Sequence, residues 1–131
     1  MISLRELRER IPFIKELGIE VTAVEPGRAR LELGIVPKHM NGWGVVHGGV
    51  TMTVLDVAMA VAARSLEPEG EGVVTVEMKT SFMQPGPPQG RLIASGTCVH
   101  QSTTMAFCEA EVRDERDRLL ARAMGTFKYI R

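Results

Sequence analysis

The stretch that decides the fold runs from Gly48 to Ala63 and reads GGVTMTVLDVAMAVAA, apolar almost throughout with a single ionisable group, Asp56. A helix that is apolar on nearly every side belongs in an interior, wrapped by other structure. The run is shorter than the ~20 residues a membrane span needs and has an acid near its middle, so no membrane association is expected. A carboxylate in such surroundings needs a structural partner or a chemical task. Just ahead lies Asn41-Gly42-Trp43-Gly44-Val45-Val46-His47-Gly48-Gly49, whose glycines free the backbone and whose Asn and His supply polar side chains. Together the two segments read as half of an active site.

On both sides of this helix, expected over about Gly48 to Ser65, the chain reads as strands. Upstream, Ile19 to Glu25 and Arg28 to Ile35 flank the turn pair Pro26-Gly27 and read as a hairpin. In its second arm Ala29, Leu31, Leu33 and Ile35 alternate with Arg28, Arg30, Glu32 and Gly34, the period-two pattern of a strand with one buried face. Val36 to Gly49 has no regular spacing and reads as a loop. Downstream, Leu66 to Gly72 is rich in turn formers and ends the helix. Val73 to Met83, Arg91 to His100, Thr104 to Arg113 and Arg118 to Tyr129 then read as strands, and the short linkers after the second and third suit antiparallel hairpins. The charged run Glu111 to Arg118 is expected to be a solvated hairpin tip. At the start, Ser3-Leu4-Arg5-Glu6 fits a capping box, and Pro12 should interrupt or end the short helix it opens. The fold class is α+β: a curved antiparallel β-sheet wrapped around one long central α-helix.

With 131 residues, the chain is long enough for one domain with a real core and too short for two ordinary ones. A single domain over residues 1–131 is expected, with residues 1–17 as an N-terminal helical segment. Sixteen basic residues balance sixteen acidic ones, which argues against the positive field that nucleic-acid binding requires. The opening MISLRELRERIPF is charged and has no apolar h-region, so a cytoplasmic protein is the expectation. Cys98 and Cys108 fall in strand-like segments and read as free structural thiols. No Cys/His spacing suits a metal site, and no cofactor is expected.

This order of elements, with His47-Gly48-Gly49 and an Asp nine residues after the His, resembles the hot-dog-fold thioesterases, in particular their phenylacetate-degradation and thioesterase-superfamily-member-2 branch. The resemblance runs from about Ile14 to the C-terminus. It implies hydrolysis of acyl-CoA, with Asp56 activating water or attacking the thioester directly. It further implies that the Gly48 N–H polarises the carbonyl, that Asn41 orients the reacting groups, and that the Thr75 hydroxyl positions water where close relatives have Ser. Threonine keeps the hydroxyl but stiffens χ1. Gly49, Met83 and the Ser102-Thr103-Thr104 turn are the candidate substrate contacts, although that turn lacks the basic residue the family often places there for coenzyme A.

The residues themselves bear on the same chemistry. Thioester hydrolysis needs a base or nucleophile and donors for the oxyanion that forms. The start of the central helix offers free N–H groups and a positive dipole end, and Asp56 offers the carboxylate. Apolar neighbours raise its pKa and hydrogen bonds to the carboxylate lower it, with no sequence criterion for which prevails. On a helix Asp56 shares a face with Met52, Thr53, Met59 and Ala60, in line with Gly49. It lies some 10–12 Å along the axis from the helix start, too far for both groups of one copy to flank one carbonyl carbon. A homodimer at least is therefore expected, and by resemblance a homotetramer, with active sites shared between copies.

Each candidate also has a structural reading. Asp56 can be held by Thr53 or by a neighbouring strand. His47 can brace the loop or orient substrate, Asn41 can be a turn residue, and Thr75 can be a strand residue of high β-propensity. Met52, Met59, Met78 and Met83 read as core filler, with an acyl tunnel as the alternative for some. His39, His100 and Trp43 read as loop or surface residues. The competing functions are a non-catalytic acyl-CoA-binding protein of the same fold and a hydratase. The sensors of the first kind need a helix-turn-helix that the residues before Gly18 are too few to build. The second pairs Asp with His in a spacing not found here.

Overall fold

A computed structural model describes residues 4–130, with Leu4, Arg5 and Arg8 described by their backbone alone. Two short helices, α1 (Leu4–Arg10) and α2 (Pro12–Leu17), open it. Pro12 does interrupt the helix, and it also starts the next one: it occupies the first turn of α2, where its missing N–H costs nothing. The Ser3 capping box lies outside the described residues. Strands β1 (Ile19–Glu25) and β2 (Arg28–Gly34) follow as the expected hairpin. A single 3₁₀ turn, Pro37–His39, leads to the central helix α3 (Gly48–Arg64). Strands β3 (Gly72–Phe82), β4 (Arg91–Gln101), β5 (Met105–Arg113) and β6 (Leu119–Ile130) complete the chain.

Among the described residues the strands form one six-stranded sheet in the order β1-β2-β4-β5-β6-β3, with every neighbouring pair antiparallel. After α3 the chain therefore crosses to the far edge of the sheet, lays down β3, and returns to fill the middle. The inner face of the sheet is built from small residues: Ala94, Gly96, Ala106, Ala110, Ala121 and Ala123. Against them lie Ala58, Ala62 and Ala63 of α3, all fully buried. Small side chains on both surfaces bring helix and sheet backbones close, which is why the helix can sit inside the curve. Phe127, Leu55 and Met59 fill the remaining volume. The Tyr129 hydroxyl donates to the Ala63 carbonyl at 2.8 Å, beside the Leu66 N–H at 3.2 Å, and so ties β6 to the end of α3.

Three expectations need correction. His39 is 1% exposed; its Nε2 bonds the Leu17 carbonyl at 2.8 Å and its Nδ1 accepts from Val36 N–H at 3.1 Å, so it ties the loop to α2 from inside. In the charged run Glu111 to Arg118, Asp114 is buried and accepts from the Arg116 and Arg118 N–H groups and from the Arg118 guanidinium. A carboxylate closes that turn, and only its neighbours are solvated. Of the methionines, Met59 is core, but Met52 and Met83 are 37% and 48% exposed in the single chain. Cys98 and Cys108 are free thiols directly opposite one another on β4 and β5.

Candidate active site

The sheet covers most of α3 but leaves one flank open. Gly49, Met52, Thr53, Asp56, Ala60 and Arg64 are the residues on it that keep some exposure, at the three- and four-residue spacing of one helix face. Met59, grouped with this face by spacing alone, points instead into the core.

Asp56 meets the sheet through Thr75, whose hydroxyl donates to Asp56 Oδ1 at 2.7 Å. Thr53 bonds elsewhere, donating to the Gly49 carbonyl at 2.8 Å. Thr75 sits beside a register shift: it pairs with Phe127 while Glu77 pairs with Thr126, which leaves Val76 as a bulged residue on β3. Bulges re-aim neighbouring side chains, and this one adjoins the residue that reaches the carboxylate. Burial pushes the Asp56 carboxyl above its ordinary value, and the Thr75 hydrogen bond offsets part of that rise. The balance that sequence left open is thus decided by desolvation.

A cavity of about 280 Å³ opens at Asp56 and Thr75. Thr53, Val57, Ala60, Val61 and Arg64 of α3 and Val73 of β3 form one side, and Leu7, Ile11, Phe13 and Ile14 of the N-terminal helices form the other. No motif had drawn attention to these four residues. The signal available was the apolar run Ile11 to Ile14, broken by Pro12, within an otherwise charged segment.

The start of α3 lies in a different cavity, of about 320 Å³, where Gly48 meets Asn41, Thr51, Phe82 and Met83. His47 is the N-cap of α3 and its Nδ1 accepts from the Gly49 N–H at 2.8 Å, so the ring braces the helix start. The Val50 and Thr51 N–H groups both point to the His47 carbonyl. Among the described residues the Gly48 N–H has no acceptor. A side chain at Gly49 would crowd the His47 ring, its Cβ falling 3.0 Å from Nδ1. Asn41 organises the loop as a turn residue does: its Oδ1 accepts from Trp43 N–H at 2.8 Å and from Val45 N–H at 3.2 Å. Trp43 stands at the loop tip, 90% exposed. Ser102, Thr103 and Thr104 form the exposed β4–β5 turn and line neither cavity.

One chain therefore brings Asp56 to Thr75, and Gly48 to Asn41 and Met83, and keeps the two groups apart; the two cavities have no lining residue in common. A curved antiparallel sheet around a single acid-bearing helix is the hot-dog fold, and the chain is a thioester hydrolase of that fold. It belongs to the thioesterase superfamily, whose family model matches residues 43–121.

The chain is 30% identical over 105 residues to the 1,4-dihydroxy-2-naphthoyl-CoA hydrolase of Listeria monocytogenes, across 79% of this chain and 84% of that one. It is 27% identical over 130 residues to acyl-coenzyme A thioesterase 13 of Pongo abelii, across 95% and 92% of the two chains. The crystal structure of a thioesterase family protein from Silicibacter pomeroyi superposes with a TM-score of 0.88 at 30% identity, covering 97% of this chain and 95% of that one. Among the described residues no helix is long and apolar enough to cross a membrane.

Proposed function

We propose that this chain hydrolyses acyl-CoA thioesters to a carboxylic acid and coenzyme A, with Asp56 as the base toward water or as the attacking carboxylate. The observation that carries the reading is the environment of Asp56: a half-buried carboxylate with a raised pKa, held by one hydroxyl, at the mouth of an apolar cavity. A more basic carboxylate takes a proton from water more readily, provided it is ionised at working pH. Thr75 keeps the carboxylate aimed. The Gly48 N–H receives the oxyanion, with the helix dipole behind it. With Asp56 as base, the carboxyl holds the proton taken from water and returns it to the sulfur that leaves as a thiolate when the tetrahedral species collapses. With Asp56 as nucleophile, the thiolate leaves from a mixed anhydride, which water then hydrolyses, and a proton from that water goes to the thiolate. His47 and Asn41 hold the backbone that presents Gly48, and Gly49 and Met83 border the bound thioester. Ser102, Thr103 and Thr104 are assigned to the coenzyme A side. Both relatives named above carry CoA thioesters in their names, which supports acyl-CoA as the substrate.

The separation of Asp56 from Gly48 supports a homodimer in which each site takes its acid from one copy and its oxyanion donor from the other. Strand β3 ends the sheet with a free edge and carries Val74 and Val76 exposed, 47% and 55%. The unpaired backbone groups of such an edge offer pairing to another chain, and an isologous contact across the Val74–Val76 part of β3 would bring the Thr75–Asp56 pairs of two copies near one another. On the opposite surface Val99, Phe107 and Met124 are exposed, which supports a second contact and a tetramer.

The test is Asp56→Asn, which keeps size and a hydrogen-bond acceptor for Thr75 while removing the base. Loss on the order of 10²–10⁴-fold in kcat on acyl-CoA, followed by release of free thiol, is expected with an unchanged oligomer. Near-wild-type turnover by the variant would refute the assignment.

A further inference from the structure

The N-terminal helical pair stands outside the motif that carries the chemistry, and its position gives it a task. Leu7 and Ile14 are anchors: both are buried in the core. Ile11 and Phe13, beside them, are 40% and 59% exposed, yet both line the cavity that holds Asp56. A concave site lined by large apolar side chains with one carboxylate among them suits an apolar ligand with a polar end. Pro12 fixes the arrangement, since it breaks the helix between Arg10 and α2 and puts Ile11 at the cap position in an extended conformation. Across the cavity run Val57, Ala60 and Val61 of α3, so the space between the two helical walls is apolar from Asp56 toward Arg64. Arg64 is eight residues beyond Asp56, about 12 Å along the helix axis. The volume of about 280 Å³ lies just below the ~300–1,000 Å³ usual for ligand pockets, room for an acyl group and not for a whole acyl-CoA.

Resting on the reading of Asp56 as the hydrolytic carboxylate, we infer that α1 and α2 form the outer wall of the acyl pocket and that Ile11 and Phe13 set the length of acyl chain the enzyme accepts. The thioester carbonyl sits at Asp56, and the acyl chain runs along α3 toward Arg64 beneath these two side chains. Coenzyme A leaves by the opposite side, past the second copy's helix start. Ile11 and Phe13 are specificity residues: they touch the acyl chain and take no part in bond making.

The experiment compares kcat/KM for acetyl-, octanoyl- and palmitoyl-CoA in the unaltered chain and in Ile11→Trp, Phe13→Trp, Ile11→Ala and Phe13→Ala. Filling the wall is expected to lower the octanoyl-to-acetyl ratio about tenfold, and trimming it to raise the palmitoyl-to-octanoyl ratio by a similar factor, the usual scale for methylene-sized changes in an apolar pocket. Ratios that stay at the wild-type value in all four variants, with melting temperatures intact, would overturn the inference. Kd values for non-hydrolysable acyl-CoA thioethers of the same three lengths read the same discrimination without turnover. The parent reading fails separately: it falls if wild type releases no thiol or if Asp56→Asn remains active. The wall falls if hydrolysis depends on Asp56 while chain-length preference ignores Ile11 and Phe13.

Discussion

Two aspartates in this chain are pushed in opposite directions, and the difference lies in what each carboxylate can bond. Asp114 is held below the ordinary range, chiefly by the Arg118 N–H, with the Arg118 guanidinium and the Arg116 N–H adding to it. Asp56 has one hydroxyl, from Thr75, set against the larger effect of burial, and so lies above its ordinary 3.8. A base or nucleophile must be ionised to act, so in the proposed role activity is expected to rise with pH through the raised value and to be lost as pH falls through it. Thr75→Val removes the one interaction that favours the ionised form, whereas Thr75→Ser keeps it. The acid limb of the kcat/KM–pH profile is therefore expected to move to higher pH in Thr75→Val and to stay in place in Thr75→Ser. An unmoved limb in the valine variant would mean that the hydroxyl does not control the carboxylate. That contrast separates an electrostatic role from the β-propensity of a strand residue, since valine suits a strand at least as well as threonine.

At the level of elements, the position of Asp56 depends on how deeply α3 sits in the sheet, and that depth is set by a glycine on β4. A Cβ added at Gly96 would fall 2.6 Å from the Ala58 carbonyl carbon and 3.0 Å from the Met59 nitrogen. Both are backbone atoms of α3, two and three residues from Asp56, and neither can swing aside. At Gly125 the nearest atoms to an added Cβ are side-chain atoms: the Met59 Cε at 2.9 Å, the movable end of a flexible side chain, and the Phe127 ring at 3.0 Å. Gly96→Ala is expected to destabilise by about 1–3 kcal/mol through overpacking, a fall of several degrees in Tm. Gly125→Ala should cost less, because side chains and not helix backbone stand nearest to it. Because Gly96→Ala lifts the helix, it should also lower kcat by drawing Asp56 away from Thr75. Thermal melts and turnover of the two variants side by side check this, and equal costs at both positions would contradict it. The sequence announced the helix and the strands, since an apolar run and period-two alternation are local signals. It could not announce that Gly96 is the point of contact, because a glycine in a strand looks the same whether it faces a helix backbone or open space.

At the scale of the molecule, the legible and illegible parts divide along the same line. The His47-Gly48-Gly49 start and the offset to Asp56 are local and could be read. The sheet order could not, because nothing in Val73 to Met83 states that this strand goes to the far edge and pairs with β6. Nor could the walling of the Asp56 cavity by residues near the N-terminus, whose two helices are too short for a periodic signal. What could be foreseen from helix rise alone was that Asp56 and Gly48 of one chain stand apart, and they line separate cavities. Gly48 is the first residue of α3, a position where proline is well tolerated, and His47 before it already has ψ of 133°, as a residue preceding proline requires. Gly48→Pro thus removes the proposed donor N–H with little cost to the fold, and should lower kcat by roughly 10²–10³-fold. Asp56→Asn and Gly48→Pro subunits are each expected to be inactive as pure oligomers. Refolded together in equal amounts, half of the dimers are mixed, and in each of those one site takes intact Asp56 from one copy and intact Gly48 from the other. Activity should return to about a quarter of wild type if sites are shared across a two-fold axis. If acid and donor served the same site within one chain, every site would carry one lesion and mixing would restore nothing.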